Sequence, residues 1–161
     1  LIGLWSAKFQ NKNNIKLVMA GSGESEDRIL RLISKVCKIN VPIFLGEVGP
    51  NNIPELISSS SITILSSKHE ASPTVVKESL SCGIAVITNK IGDVDKYIVN
   101  GKNGYIVKKD YDSYFSAINN LLDNPLSKEK VLMNSKMQLE KCSISYVANE
   151  YNHIYRKLLN D

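Results

Sequence analysis

The stretch from Ile62 to Thr88, ITILSSKHEASPTVVKESLSCGIAVIT, passes from one short apolar run through a Ser-Pro pair and a mixed segment to a glycine and a second apolar run. Ile62 to Leu65 and Ala85 to Thr88 read as buried strands bounded by turn residues. Ser72 is a preferred N-cap residue and Pro73 a preferred first helical residue, so a helix is expected over about 73–82. Strand, helix and strand in that order make one unit of a parallel sheet.

Working outward, the alternation repeats. Lys16 to Ala20, Pro42 to Leu45 and Tyr105 to Val107 complete a set of five strands, with helices expected at about 25–39, 51–59 and 93–99 between them. Beyond the last strand the pattern becomes purely helical over Tyr111 to Leu122, Lys128 to Lys141 and Tyr146 to Leu159, with Pro125 and the region of Ser143 as breaks. The expected fold class is α/β, a Rossmann-like parallel sheet flanked by helices with a helical C-terminal extension. Leu1, Leu4, Trp5 and Phe9 already have helical spacing with no strand ahead of them. In a doubly wound sheet such a helix follows a strand, so residues 1–161 read as one domain that is a fragment, its first strand absent.

Composition narrows the function classes. The 161 residues are 43% hydrophobic, enough for one proper core. The net charge of +4 is spread along the chain. Without a basic block or aromatic-basic interleaving, no nucleic-acid partner is expected, only mild attraction to anionic ligands. Cys37, Cys82 and Cys142 are odd in number and widely spaced, which suggests neither a disulfide framework nor a zinc site and fits a reducing, cytoplasmic setting. No apolar run reaches the roughly 20 residues of a spanning helix.

The chemistry gathers about two carboxylates, Glu70 and Glu78. A helix start beyond the carboxyl end of a strand offers unpaired amides and the positive end of the helix dipole, which favour an anion such as phosphate. Thr74 and Val75 supply those amides; Pro73 supplies none. Glu78 lies one turn after Thr74 on the same face, among Val75, Val76 and Leu80, and is expected to be partly buried. There it would accept hydrogen bonds from paired ligand hydroxyls, such as those of a ribose. Glu70, in the loop before the helix, would reach the sugar or phosphate part of the same ligand. The spacing alone is not selective, because Glu47 and Glu55 are also eight residues apart; the preceding strand and the Ser-Pro cap distinguish the second pair.

Four ordered motifs extend this reading: Gly21-Ser22-Gly23-Glu24, Phe44-Leu45-Gly46-Glu47-Val48, Ser67 to Val86 with its two glutamates, and Asn100-Gly101-Lys102-Asn103-Gly104. Together they resemble the C-terminal, donor-binding domain of the retaining, nucleotide-sugar-dependent glycosyltransferases of family 4, over most of the chain. The resemblance implies one Rossmann-like half of a GT-B architecture. It implies that Glu70 is the catalytic glutamate, contacting donor-sugar hydroxyls near the reacting carbon, and that Glu78 holds the ribose hydroxyls. Ser72, Thr74 and Val75 would present amides to the sugar and diphosphate, and Val48 with Gly49 would hold the base. The donor implied is a UDP- or GDP-sugar. The acceptor, a glycan or lipid, would be bound by an N-terminal domain that is absent, and the fragment alone should not catalyse transfer. No cofactor or metal is expected, and a cytoplasmic location extends to the inner face of the membrane, with peripheral contact there.

Departures from the pattern are specific. Ala71 and Ser72 stand where Gly and Phe are common, Ser79 where Ala is frequent, and Lys96 where an acidic residue often follows the Gly92-Asp93-Val94 turn. The first strand's Arg and Lys, which neutralise the diphosphate in the family, have no counterpart; Lys8 and Lys12 are in the wrong place. A noncatalytic flavodoxin-like or nucleotide-binding module is the alternative, since five strands and alternating helices would suffice for it. Blander roles are expected elsewhere: His69 at the pocket edge, His153 in packing or on the surface, Gly21-Ser22-Gly23 as a strand-to-helix turn, and Cys82 as a buried small residue. Lys128, Lys130, Lys136 and Lys141 read as a solvated face, with a membrane surface as the alternative partner.

Overall fold

The computed structural model describes residues 1–160. It opens with α1 (Ile2–Lys8), then alternates β1 (Val18–Met19), α2 (Glu26–Val36), β2 (Ile43–Phe44), α3 (Ile53–Ser58), β3 (Ile62–Leu65), α4 (Thr74–Ser81), β4 (Ala85–Asn89) and β5 (Gly104–Val107). Three further helices, α5 (Tyr111–Asp123), α6 (Lys128–Glu140) and α7 (Ile144–Asn160), close the chain. The α/β class and the five strands are as expected, and every pairing is parallel.

The five strands do not form one sheet. β1 pairs with β2, and β3–β4–β5 form a separate three-stranded sheet. Exposure follows from this division, because a strand is covered only where it has neighbours on its edges and layers on its faces. β4, central in its sheet, is buried at every residue, whereas β3 is half-buried throughout. In the smaller sheet Val18 and Ile43 are 43% and 46% exposed.

α1 is the strut between the two halves. Trp5 Nε1 donates to the Asn40 carbonyl at 2.7 Å and Ser6 Oγ to the Val36 carbonyl at 2.6 Å, tying α1 to the end of α2 and the segment after it. On its other side Phe9 meets Phe115 of α5 with ring centroids 5.3 Å apart. Leu4, Trp5 and Phe9 are buried, as their helical spacing predicts.

Several boundaries differ from expectation for local reasons. α2 stops at Val36 because Cys37 takes an extended conformation, φ −101° and ψ 110°. The helix expected over 93–99 is a single 3-10 turn, Val94–Lys96. Asn103 displaces the rest of it: its buried side chain accepts from the Val99 N–H at 2.7 Å and donates to the Tyr97 carbonyl at 2.9 Å, taking groups a longer helix would have paired within itself. The same amide donates to Ser135 Oγ at 2.9 Å, so the Asn100–Gly104 turn is pinned to α6.

α7 carries an unpartnered apolar face, with Ile144 at 90%, Tyr151 at 55% and Leu158 at 69% exposed. His153 is exposed there, and the four lysines from Lys128 to Lys141 are solvated as expected. No helix among the described residues is long and apolar enough to cross a membrane.

Candidate functional site

In an open parallel sheet the loops at the carboxyl ends of the strands face the same way and meet. Here Gly21 to Gly23 follows β1, Gly46 to Gly49 follows β2, Ser66 to Pro73 follows β3, Lys90 to Asp93 follows β4 and Lys108 to Asp110 follows β5. The first two loops are joined by the Gly21 N–H donating to the Gly46 carbonyl at 2.7 Å.

The loops after β3 and β4 are built into each other. Gly92 sits at φ +50°, and a Cβ there would lie 2.3 Å from the Ala71 carbonyl oxygen and 2.8 Å from that of Glu70. Only glycine fits this approach. The Asp93 N–H donates to the Ala71 carbonyl at 3.2 Å. Ser72 Oγ donates to Asp93 Oδ2 at 3.1 Å and accepts from Lys77 Nζ at 2.8 Å. Tyr97 adds its hydroxyl to Asp93 Oδ2 at 3.3 Å, beneath Lys77, whose ammonium is 5.3 Å from the ring centroid. The hydrogen bond with Cys142, followed by burial, pushes the Tyr97 phenol up to about 12. Asp93 Oδ1 is buried and has no partner among the described residues.

This network corrects the expected helix cap. α4 begins at Thr74 with Pro73 in the N-cap position at φ −65° and ψ 116°, and no side chain caps it. Ser72 is committed to Asp93 instead. The amides of Thr74 and Val75 are therefore left open at the helix start. Glu78 is likewise corrected: it is exposed rather than partly buried, because the face of α4 that turns inward carries Val76, Ser79 and Leu80. Ser79 Oγ donates to the Val75 carbonyl at 2.7 Å and is hydrogen-bonded to the Thr63 hydroxyl at 3.0 Å, fastening α4 to β3. Cys82, expected to be buried, is half-exposed at the end of α4.

Glu70 lies in a cavity of about 660 Å³ formed by Lys68, His69, Glu70 and Ala71 from one loop and Lys90, Ile91 and Gly92 from the other. Its carboxylate and that of Glu78 make no ion pair with another described residue. His69 is at the pocket edge, as expected. Ser72, Thr74, Val75 and Glu78 continue from this cavity along the loop and up α4. Val48 and Gly49 lie after β2, directly before the turn into α3, and α3 packs on α4. No hydrogen bond joins Val48 or Gly49 to the Glu70–Glu78 segment. Among the described residues no group of three or more His, Cys, Asp and Glu side chains could hold a metal ion.

Gly92, Asp93, Lys77 and Lys90 adjoin the candidate site, and local sequence assigns them no role in it. Their signal was topological rather than local: loops following adjacent parallel strands lie side by side, so the residues after β4 face those after β3.

Comparison with known proteins agrees with this geometry. An uncharacterized glycosyltransferase of Methanocaldococcus jannaschii is 26% identical over 92% of this chain and 39% of its own length. N-acetyl-alpha-D-glucosaminyl L-malate synthase of Bacillus anthracis is 26% identical over 96% of this chain and 41% of its own. Sucrose-phosphate synthase from Thermosynechococcus elongatus superimposes with a TM-score of 0.81 at 19% identity, over 99% of this chain and 42% of that one. An Anabaena protein in complex with UDP does so with a TM-score of 0.82 at 17% identity, over 98% and 44%. The chain thus spans about two-fifths of the length of these relatives and shares the fold of GT-B glycosyltransferases. The pattern of the glycosyl transferases group 1 family matches residues 4–138, and to that family the chain belongs.

Proposed function

We propose that the chain is the donor-binding half of a glycosyltransferase that takes a sugar from a nucleotide-sugar and transfers it with retention of configuration. One observation carries the reading: a cavity holding Glu70 adjoins an uncapped helix start with two open amides, and an unpaired Glu78 follows one turn later on the same helix. An Anabaena protein of the same fold is described in complex with UDP-glucose, which supports a UDP-sugar as donor.

In this assignment Thr74 and Val75 direct their amides at the diphosphate, where the helix dipole adds to them. Glu78, exposed and unpaired, accepts from the two ribose hydroxyls. Val48 and Gly49 offer backbone groups to the base. Glu70 accepts from hydroxyls of the donor sugar and fixes the reacting carbon. Catalysis comes from that orientation and from stabilising the departing diphosphate. The open edges of β1 and β3 support a further strand between them, whose loop would carry the basic residues that complete the diphosphate site. No metal is assigned a role.

The test is a titration with UDP, GDP and their sugar conjugates, followed by ligand-observed NMR, on the chain and on Glu78→Ala. Saturable contacts with one nucleotide, weakened about 10-fold or more when Glu78 loses its charge-assisted hydrogen bonds, are expected. Equal binding by both proteins would remove Glu78 from the site, and no binding by either would remove the donor assignment.

A further inference from the structure

Ser72 stands close to closing the start of α4 itself. Pro73 already has the φ of a first helical residue, −65°, and only its ψ of 116° keeps it out of the helix. Rotation of that ψ into the helical region would make Pro73 the first helical residue and Ser72 its cap. A cap oxygen accepts from the second or third helical N–H, and here those belong to Thr74 and Val75. Among the described residues neither N–H has an acceptor. The chain therefore carries, directly beside the two amides assigned to the diphosphate, a hydroxyl able to occupy one of them.

What restrains that hydroxyl is Asp93. Ser72 Oγ gives its proton to Asp93 Oδ2 at 3.1 Å, and the Tyr97 hydroxyl bonds the same oxygen at 3.3 Å. Lys77 Nζ donates to Ser72 Oγ at 2.8 Å, but on a flexible stem that can follow the hydroxyl elsewhere. The two loops do not need the Asp93 side chain to stay together, because the Asp93 N–H bond to the Ala71 carbonyl and the close approach at Gly92 already join their backbones. Nor does a carboxylate suit the spot as packing: Oδ1 is buried with no partner among the described residues, which costs stability. A side chain that the backbone does not require, and that leaves an oxygen unsatisfied, points to a functional demand.

We propose that Asp93 is a positioning residue of the donor site: by holding the Ser72 hydroxyl it prevents the chain from capping α4 with its own side chain, and so keeps the Thr74 and Val75 amides free for the diphosphate. The assignment rests on the donor-site reading above. Asp93 acts through Ser72 and not by touching the ligand, since two negative groups repel. Without its accepting oxygen, Ser72 becomes an intramolecular competitor of the nucleotide.

The experiment compares the unaltered chain with Asp93→Asn, Asp93→Ala and Ser72→Ala/Asp93→Ala, reading amide hydrogen exchange without ligand and then UDP affinity by titration. All three variants lose the charge, but only Asp93→Asn keeps an oxygen that accepts from Ser72. The Thr74 and Val75 amides should exchange freely in the unaltered chain and in Asp93→Asn. In Asp93→Ala at least one of them should slow about 5-fold, and the slowing should vanish when Ser72 is replaced as well. UDP should bind Asp93→Ala about 5-fold more weakly than Asp93→Asn, because a serine cap of ordinary strength leaves only that fraction of molecules open, and the double variant should regain the affinity of Asp93→Asn. Equal exchange in Asp93→Ala and Asp93→Asn, or an affinity loss that Ser72→Ala does not restore, would make Asp93 a structural link only and overturn the proposal. If Asp93→Ala does not fold, the unaltered chain and Ser72→Ala decide: slow exchange at Thr74 or Val75 that Ser72→Ala relieves means that Ser72 caps the helix despite Asp93 and overturns the proposal, and equally free exchange in both supports it. If UDP binds none of the proteins, the donor reading fails, and the exchange rates alone decide whether Asp93 holds Ser72 off the helix.

Discussion

Replacing Gly92 by alanine tests whether the loops after β3 and β4 form a single construction. The new Cβ would lie 2.3 Å from the Ala71 carbonyl oxygen, about 1 Å short of ordinary van der Waals contact, and it would meet backbone rather than a movable side-chain tip. A left-handed backbone costs an alanine about 1–2 kcal/mol, and forcing the loops apart adds roughly 1–3 kcal/mol. For a chain of this length about 3 kcal/mol lowers Tm by roughly 6–12 °C. Gly101→Ala is the control: its φ is +75°, but the nearest atom to a new Cβ is the Tyr105 hydroxyl oxygen at 3.8 Å, so it bears only the backbone cost. Thermal melts of the two variants should place Gly92→Ala at least about 2 °C lower. On the role proposed for Glu70, moving it by about 1 Å should also slow sugar transfer on the order of 100-fold in the protein that carries this chain. If Gly92→Ala and Gly101→Ala melt together, the loops are not locked and the reasoning fails.

Burial pushes the Tyr114 phenol up to about 12, and the bond with Cys142, with burial, does the same for Tyr97, against 10 for a free tyrosine. Both stay protonated in the fold while an unfolded chain would ionise them, so their contribution is whole below pH 10 and is lost as pH rises from 10 to about 12. Urea midpoints across that window should fall, and fall less in Tyr97→Phe/Tyr114→Phe; an equal fall would count against it. Hydrogen exchange should separate the two sheets: amides of β1 and β2, with exposed side chains and few neighbours, should exchange more than roughly ten times faster than those of β4. Equal protection would mean that the sheets open as one unit.

The succession of strands and helices along the chain was legible because buried strands and amphipathic helices write their periods directly into it. Leu1, Leu4, Trp5 and Phe9 announced α1, and the Asn100–Gly104 turn marked the entry to β5. What the sequence did not disclose was competition for groups. Ser72 has every local credential of an N-cap, yet a carboxylate 21 positions later takes its hydroxyl. The 93–99 segment had an acceptable helical pattern, yet Asn103 claims its backbone. The first rival sits in another loop, outside any window of neighbouring residues; the second is only four to six residues on, but its side-chain bonds leave no mark in a hydrophobic period.

Glu78 is the more instructive case, because its apolar neighbours in sequence suggested burial and the fold gives it exposure. A carboxylate buried without a partner would be costly, so the flanking valines and leucine turn inward and leave Glu78 in water. That arrangement suits a ribose ligand better than the expected one. An exposed, unpaired carboxylate needs no internal partner to be displaced before it accepts two hydroxyls, and its hydration is exchanged for hydrogen bonds only when a ligand is present. Glu70, by contrast, gains its position from the Gly92–Asp93 loop pressed against its own backbone. One candidate residue is therefore placed by the helix that carries it and the other by a loop from the next strand, and neither the exposure of the first nor the support of the second could be read from spacing.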